Sequence, residues 1–340
     1  MIISEVRPRI LVTGGAGYIG AHVCRALDEC GYLPVAYDNL SNGHSEAVRW
    51  GPLEFGELED SSRIEAVLRT HRPIAVIHLA GLIAAGDSVV APAAFYRNNV
   101  AGTLNLLEAM HICAINKIVF SSSAGVYGEP EFTPIAEHHP HRPVNPYGAT
   151  KAMVERILSD YAVAYGLVSV SLRYFNAIGA GPEGDIGEAH RHETHLVPLA
   201  LDVAAGLRPF IHVFGDDFRT PDGTCIRDYV HVCDLADAHV LALQFLDHNP
   251  GASAFNLGSE RGASVREVID AASRVSGSPI PTRIHPRRPG DPAILVADAT
   301  RAKRVLGWCP GYNCLDAQIA SAWSWHERYR RVTSERLTAS

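Results

Sequence analysis

Short apolar runs and longer mixed stretches alternate through the first half of the chain. Ile10–Thr13, Leu33–Tyr37, Ile74–Leu79, Lys117–Ser121 and Val168–Arg173 are brief and rich in β-branched residues. A strand covered on both faces reads this way, because alternate side chains point to opposite sides and neither side meets water. Between several of them, Tyr18–Cys30, Ser61–Thr70, Ala91–His111 and Tyr147–Tyr165 have helical length and spacing. Such alternation predicts a parallel sheet wrapped on both faces through right-handed crossovers, a Rossmann-type doubly wound α/β fold.

The pattern changes near Asn176. From there to about Arg227, Gly and Pro are frequent and periodicity is lost, which predicts loops and short elements over the C-terminal edge of the sheet. One helical stretch follows, Asp234–Leu246, then a mixed region to Glu327 and a polar tail after Arg328 expected to fray. A chain of 340 residues has room for two domains. Residues 1–175 are expected to form one. Residues 176–330 are expected to form a smaller mixed one, with segments near 225–248 packing back on the first.

Composition narrows the function classes. Apolar residues make up 47% and charged residues 20%, which argues against a disordered chain or a membrane bundle. The net charge of −7 lacks the basic excess of a nucleic-acid binder. Seven cysteines at irregular spacings, with no C-x-x-C, suggest reduced thiols of a cytoplasmic protein. No signal-peptide core precedes Arg7, and the longest apolar stretch is too short to span a bilayer.

The most informative stretch is Gly14-x-x-Gly17-x-x-Gly20, between the first strand and the first helix. Gly14 allows a tight turn, Gly17 lets the backbone approach a pyrophosphate, and Gly20 lets helix and strand pack closely. The helix N-terminus adds N–H groups and partial positive charge. Asp38 ends the second strand. A carboxylate there accepts both ribose hydroxyls and repels a 2′-phosphate, which favours NAD over NADP.

Tyr147 and Lys151 stand four residues apart at the start of a helical stretch, on one face. A phenol of pKa about 10 is a poor base at neutral pH, and a nearby ammonium would lower that value. With such help Tyr147 can take a proton from a hydroxyl while hydride leaves the same carbon. Ser121 to Ser123 follow a strand whose end faces the expected cofactor crevice, so a serine hydroxyl there can bond a substrate oxygen.

Together these blocks make the sequence resemble the extended short-chain dehydrogenase/reductases and, within them, the UDP-galactose 4-epimerases. The similarity runs nearly end to end. It includes Thr13 to Gly20, Asp38-Asn39-Leu40, His78 to Leu82, Asn98-Asn99-Val100, Ser121 to Gly128, Pro146-Tyr147-Gly148 with Lys151, Arg173 to Asn176, Thr194 to Pro198, Asp222 to Val232, and Arg287 to Asp291. The resemblance implies that NAD stays bound while C4 of a UDP-sugar is oxidised, turned and reduced. UDP-glucose and UDP-galactose are the leading pair. Tyr147 would move the proton, Ser123 would bond the reacting oxygen, and Lys151 would hold the cofactor ribose. Tyr18, Ile19, Asn39, Glu57, Leu58, Leu79, Ala80, Gly81, Asn98, Ser121 and Tyr174 would join Gly14, Gly17, Gly20 and Asp38 around the dinucleotide. Phe175, Asn176, His195, Leu196, Phe214, Arg227, Arg288 and Asp291 would hold the UDP-sugar, which makes residues 176–330 the substrate domain. A homodimer through the helices at Ala91–His111 and Tyr147–Tyr165 is also implied.

Some positions depart from that pattern. Ile83 stands where relatives often have Lys, Gly125 where Thr is common, and Glu57 where Asp is more usual. Leu295 replaces a Tyr of some relatives and bears on whether an N-acetyl group fits. Arg191 stands where relatives more often carry an acid, which keeps a UDP-glucuronate/UDP-galacturonate 4-epimerase open. A 4,6-dehydratase is disfavoured, because Ala124 and Gly125 cannot transfer protons. A non-catalytic NAD-binding regulator would have no need of Ser123, Tyr147 and Lys151 together. His190-x-His192-x-x-His195, without a cysteine or a matching carboxylate pattern, is read as no metal site.

Overall fold

The structure, a computed structural model, describes residues 7–288 and 290–339, with side chains as far as residue 329. The first six residues, part of the segment read as lacking a signal peptide, lie outside it. In chain order the strands are β1 (Arg9–Thr13), β2 (Leu33–Asp38), β3 (Leu53–Phe55), β4 (Ala75–His78), β5 (Lys117–Ser121), β6 (Val168–Tyr174), β7 (Asn176–Ile178), β8 (Ile211–Phe214), β9 (Ile226–His231), β10 (Ala252–Leu257), β11 (Gly262–Ser264), β12 (Thr282–His285) and β13 (Ile294–Leu295). The helices are α1 (Tyr18–Glu29), α2 (Ser61–His71), α3 (Ala85–Val90), α4 (Pro92–Phe95), α5 (Gly102–Ile112), α6 (Pro146–Tyr165), α7 (Leu196–Ala204), α8 (Val232–Phe245), α9 (Val265–Ser276) and α10 (Leu315–Ala339).

Seven strands form one parallel sheet in the order β10-β6-β5-β4-β1-β2-β3. Successive residues of β1 serve opposite cores. Ile10 and Val12 join α1, α8 and Trp308 on one face, while Leu11 joins residues of α2, α5 and α6 on the other. The strand order reverses between β1 and β4, so their C-terminal ends open a crevice, the usual ligand position in such sheets. A second core, under α7, α9 and α10, packs against β8 and β9. Beside it β9 pairs with β7, β11 and β13, and β8 pairs with β12.

Three expectations need correction. The single helix expected over Ala91–His111 is α4, a wider π-turn at Tyr96–Ala101, and α5. Pro92 starts it at N1, where a missing N–H costs nothing. The widened turn carries Asn98 and Asn99, and such turns recur at functional sites. Second, residues after the expected boundary complete the first sheet: β10 lies at its edge beside β6. Third, the tail expected to fray continues α10 to Ala339.

Candidate functional site

Loops at the C-terminal ends of β1, β2, β4, β5 and β6 line one cleft. After β1 the chain turns at Gly14, whose φ of 73° is left-handed. A Cβ there would stand 2.7 Å from the Ala80 nitrogen, and one on Gly20 would stand 2.0 Å from the Gly14 oxygen. The close approach of the first turn, the β4 loop and α1 therefore depends on glycine at these two positions. A Cβ on Gly17, the N-cap of α1, would meet the Gly14 oxygen at 3.3 Å, a tight contact, and the residue lines the cleft. Asp38 is buried at the end of β2. Its carboxylate accepts from the Ala16 nitrogen at 3.0 Å and the Leu40 nitrogen at 2.8 Å. Burial raises its pKa, and these two hydrogen bonds oppose the rise.

The other face of the cleft carries candidate proton chemistry. Asn145 caps α6 by accepting from the Gly148 nitrogen, and Pro146 fixes the first turn. That start places Tyr147 and Lys151 on the first turns, toward the cleft. Lys151 is buried, donates to the Ser121 carbonyl at 2.7 Å, and has its Nζ 5.8 Å from the centre of the Tyr147 ring. Burial brings its pKa down to about 8, and Glu155 works against that. Burial raises the Tyr147 pKa, and a hydrogen bond from the Ser123 hydroxyl works against that rise. The ammonium is anchored on a carbonyl and stands beside the Tyr147 ring. Ser123 caps a short 3₁₀ turn by accepting from the Gly125 nitrogen at 3.1 Å, and Ser121 bonds the Tyr174 hydroxyl. A Cβ on Gly125 would make ordinary contacts with Ser123 and Tyr147, at 3.4 and 3.8 Å.

Behind these residues lies buried polar structure. Asn99 is tied to both backbone groups of Leu82. His78 bridges Thr13 and Thr103, and burial holds it near pKa 3. Glu155 joins Ser122 and Arg173, and Arg173 reaches the Tyr127 hydroxyl at 2.9 Å.

The structure brings together in the cleft Gly14, Gly17, Tyr18, Ile19, Gly20, Asp38, Asn39, Glu57, Leu58, Leu79, Ala80, Gly81, Asn98, Ser121, Ser123, Tyr147, Lys151, Tyr174, Phe175, Asn176, His195 and Leu196. It does not bring Arg191, Phe214, Arg227, Arg288, Asp291 or Leu295 to this lining. Arg191 is exposed on its loop. Arg227 pairs with Asp291 at 3.0 Å, Arg288 lies 3.9 Å over the Phe214 ring, and Leu295 packs beside Phe175 and Ala297. Phe214, Arg227 and Leu295 lie on β8, β9 and β13, with Arg288 and Asp291 on the chain leading to β13, and Leu295 meets the cleft through Phe175.

Sequence reasoning missed Ser41 to Gly43, Tyr229 and Glu188, which also line the cleft. The first three had a signal, because Ser-Asn-Gly is turn chemistry following the acid. Glu188 and Glu193 had none, since nothing in a loop predicts which side chains converge. His195 lies near both carboxylates, which raise it to about 10 against the effect of burial. His190 is raised likewise to about 9.

The residues fit a dinucleotide on their own geometry. The Asn98 Oδ1 is buried at the cleft without a hydrogen-bond partner, Gly17 lines the cleft at a helix N-terminus that can take phosphate, and Asp38 is held by the Ala16 nitrogen in the same cleft.

Comparison with known proteins agrees with this arrangement. The sequence profile described as the NAD dependent epimerase/dehydratase family matches residues 10–258. A UDP-glucose 4-epimerase of Rhizobium meliloti (strain 1021) is 52% identical over 319 residues, which cover 94% of this chain and 97% of that protein. The crystal structure of UDP-glucose 4-epimerase from Brucella ovis in complex with NAD superposes with a TM-score of 0.90 at 48% identity, covering 93% of this chain and 97% of that one. The Bifidobacterium longum UDP-glucose 4-epimerase in complex with NAD+ and UDP superposes at 0.90 with 40% identity, covering 94% and 98%. Glycine turn, Asp38 and the Tyr147–Lys151 helix thus stand in a fold shared along nearly the whole length, and the chain belongs to the NAD dependent epimerase/dehydratase family.

Proposed function

We propose that the protein is an NAD-dependent UDP-sugar 4-epimerase acting on UDP-glucose and UDP-galactose. The observation that carries the reading is the meeting, in one cleft, of the glycine turn and Asp38 with Ser123, Tyr147 and Lys151. Gly14, Gly17, Gly20, Asp38 and Asn98 would hold the dinucleotide. Bound NAD would supply a two-electron acceptor and donor for hydride at a sugar carbon. Tyr147 takes the proton of the sugar 4-hydroxyl and later returns it, while Ser123 bonds the same oxygen. Burial holds the Tyr147 proton tightly, so positive charge beside the phenol is what makes it a base at neutral pH. Lys151, fixed by the Ser121 carbonyl, contributes part of that charge.

Residues 1–175 then serve the dinucleotide and residues 176–330 the nucleotide sugar. No observation favours the hexuronate reading, because Arg191 is exposed and absent from the cleft lining. The apolar side chains left exposed on the helices between residues 85 and 165, among them Val89, Val90, Met153 and Val163, suit a homodimer. Among the described residues no helix is long and apolar enough to cross a membrane, and all seven cysteines are free, in keeping with a cytoplasmic enzyme.

The test is interconversion of UDP-glucose and UDP-galactose by the purified holoenzyme, with UDP-glucuronate in parallel. Tyr147→Phe is expected to lose about 10²–10⁴ in rate while keeping its dinucleotide. No turnover of the hexose pair by the wild type would remove the reading.

A further inference from the structure

The loop between β7 and α7 gathers four side chains that no step of the proposed reaction needs as a set. His195 Nδ1 stands 2.8 Å from Glu193 Oε1 and 2.9 Å from Glu188 Oε1. His190 Nδ1 stands 3.2 Å from the same Glu188 oxygen and 3.4 Å from Glu193 Oε2. One donor atom from each residue lies within 4.8 Å of every other. Glu188, His190 and Glu193 are largely buried, with side chains 9, 13 and 12% exposed.

Hydrogen bonding accounts for one part of this cluster, where Glu193 Oε1 accepts from His195 Nδ1 and from the Thr194 and His195 backbone nitrogens, each at 2.8 Å, and leaves the rest unexplained. An imidazole Nδ1 carries at most one proton, so it serves one acceptor well. Here two such nitrogens each face two carboxylates. The His190 Nδ1 is shielded from solvent and has no hydrogen-bond partner, despite a carboxylate oxygen at 3.2 Å. Four donors around a tetrahedral cation, with bonds of about 2.0–2.2 Å, would be separated by roughly 3.3–3.6 Å. Of the four nitrogen–oxygen distances, 3.4 Å lies in that range and 3.2 Å just under it, while the 2.8 and 2.9 Å contacts of His195 would open on binding. The backbone that carries the donors is also fixed: Trp325 donates to the Glu188 carbonyl at 3.1 Å, and His44 to the Ala189 carbonyl at 2.6 Å.

We infer that Glu188, His190, Glu193 and His195 form a four-ligand site for a divalent transition metal of the zinc class. Two imidazoles disfavour magnesium and calcium, which take oxygen ligands. Two nitrogens and two oxygens in a closed tetrahedron make the site structural. The metal would pin the loop to the N-terminus of α7 and fix the cleft wall that carries Glu188, His190 and His195. The assignment does not rest on the epimerase reading, and its test requires no turnover.

The full-length protein is stripped with EDTA, dialysed, and titrated with zinc by calorimetry, with retained metal counted by mass spectrometry. One zinc per chain is expected, with a rise in melting temperature on re-addition. Cobalt in its place should give the visible bands of a tetrahedral site without a thiolate charge-transfer band. His190→Asn and, separately, Glu193→Gln should weaken zinc more than about 100-fold, beyond the 10–100-fold that loss of an outer-shell partner costs. The stripping and re-addition on wild-type protein do not depend on either variant folding. No retained zinc and no thermal shift would overturn the assignment and leave an ion-pair cluster of protonated histidines. Undiminished binding in both variants, or a thiolate band from the seven free cysteines, would also overturn it.

Discussion

Replacing Glu155 with alanine should be among the most damaging single changes outside the cleft. The Glu155 carboxylate and the Arg173 guanidinium are 9 and 6% exposed and joined by a forked hydrogen bond. Glu155 also accepts from Ser122, and Arg173 donates to the Tyr127 hydroxyl and the Glu137 carbonyl. Removing the carboxylate leaves a buried cation without its counter-ion, which costs about 3–5 kcal/mol. A double variant, Glu155→Leu with Arg173→Met, removes both charges. The Tyr127 hydroxyl keeps Asn256 as a partner, so the polar losses are the Ser122 hydroxyl, which Glu155→Ala orphans as well, and the Glu137 carbonyl, about 1–3 kcal/mol each. The double variant should therefore be more stable than Glu155→Ala alone. Urea unfolding followed by circular dichroism gives each midpoint and slope. A single-variant cost below about 1 kcal/mol, or a double-variant cost equal to the sum of the singles, would refute the reasoning. Since Glu155 opposes the fall in the Lys151 pKa, the variant should also shift the alkaline limb of activity to lower pH.

Gly20→Ala would place a methyl carbon 2.0 Å from the Gly14 oxygen, so the turn must open. The purified variant should carry little or no dinucleotide by chromatography of the released nucleotide, and a full complement would contradict the packing argument. Acid should destabilise the protein early. Burial lowers His22 and His239 to about 4, and His78 and His231 to about 3. Below pH 6.5 the unfolded chain binds protons that the folded one refuses. Stability is therefore complete above 6.5 and falls by up to about 1.4 kcal/mol per pH unit for each group as pH drops toward 3–4. Urea midpoints unchanged between pH 7.5 and 5 would show that these four histidines are not neutral in the fold.

What the sequence revealed was local. The glycine turn is a three-residue rhythm beside a strand, and Tyr147 and Lys151 meet because i and i+4 share a helix face. Both were legible without knowing what lies across the sheet. The π-turn at Tyr96–Ala101 was not, because a single widened turn barely disturbs a 3.6-residue pattern. The four converging donors were half visible. Three histidines drew attention, but His192 is exposed and outside the cluster, while the carboxylates came from Glu188 and Glu193 in a stretch without periodicity. Arg227 and Asp291 were named through resemblance, and their mutual ion pair depends on β13 returning to β9. Helix spacing places the Lys151 side chain near Tyr147 but does not say which carbonyl will accept a hydrogen bond from its ammonium.

The edge strand β10 limits how this protein can be taken apart. It arrives some eighty residues after β6 yet zips onto that strand from Ala252↔Ser169 to Leu257↔Tyr174, and α8, just ahead of it, lies on α1. Cutting the chain near Asn176 would strip the sheet of its last ribbon and bare the amide row of β6 to any passing strand, an invitation to aggregate. A chimera that exchanges the second half between relatives must therefore carry the native stretch from about 226 to 257 with the first half. Specificity here is better re-engineered by point changes within loops than by grafting modules.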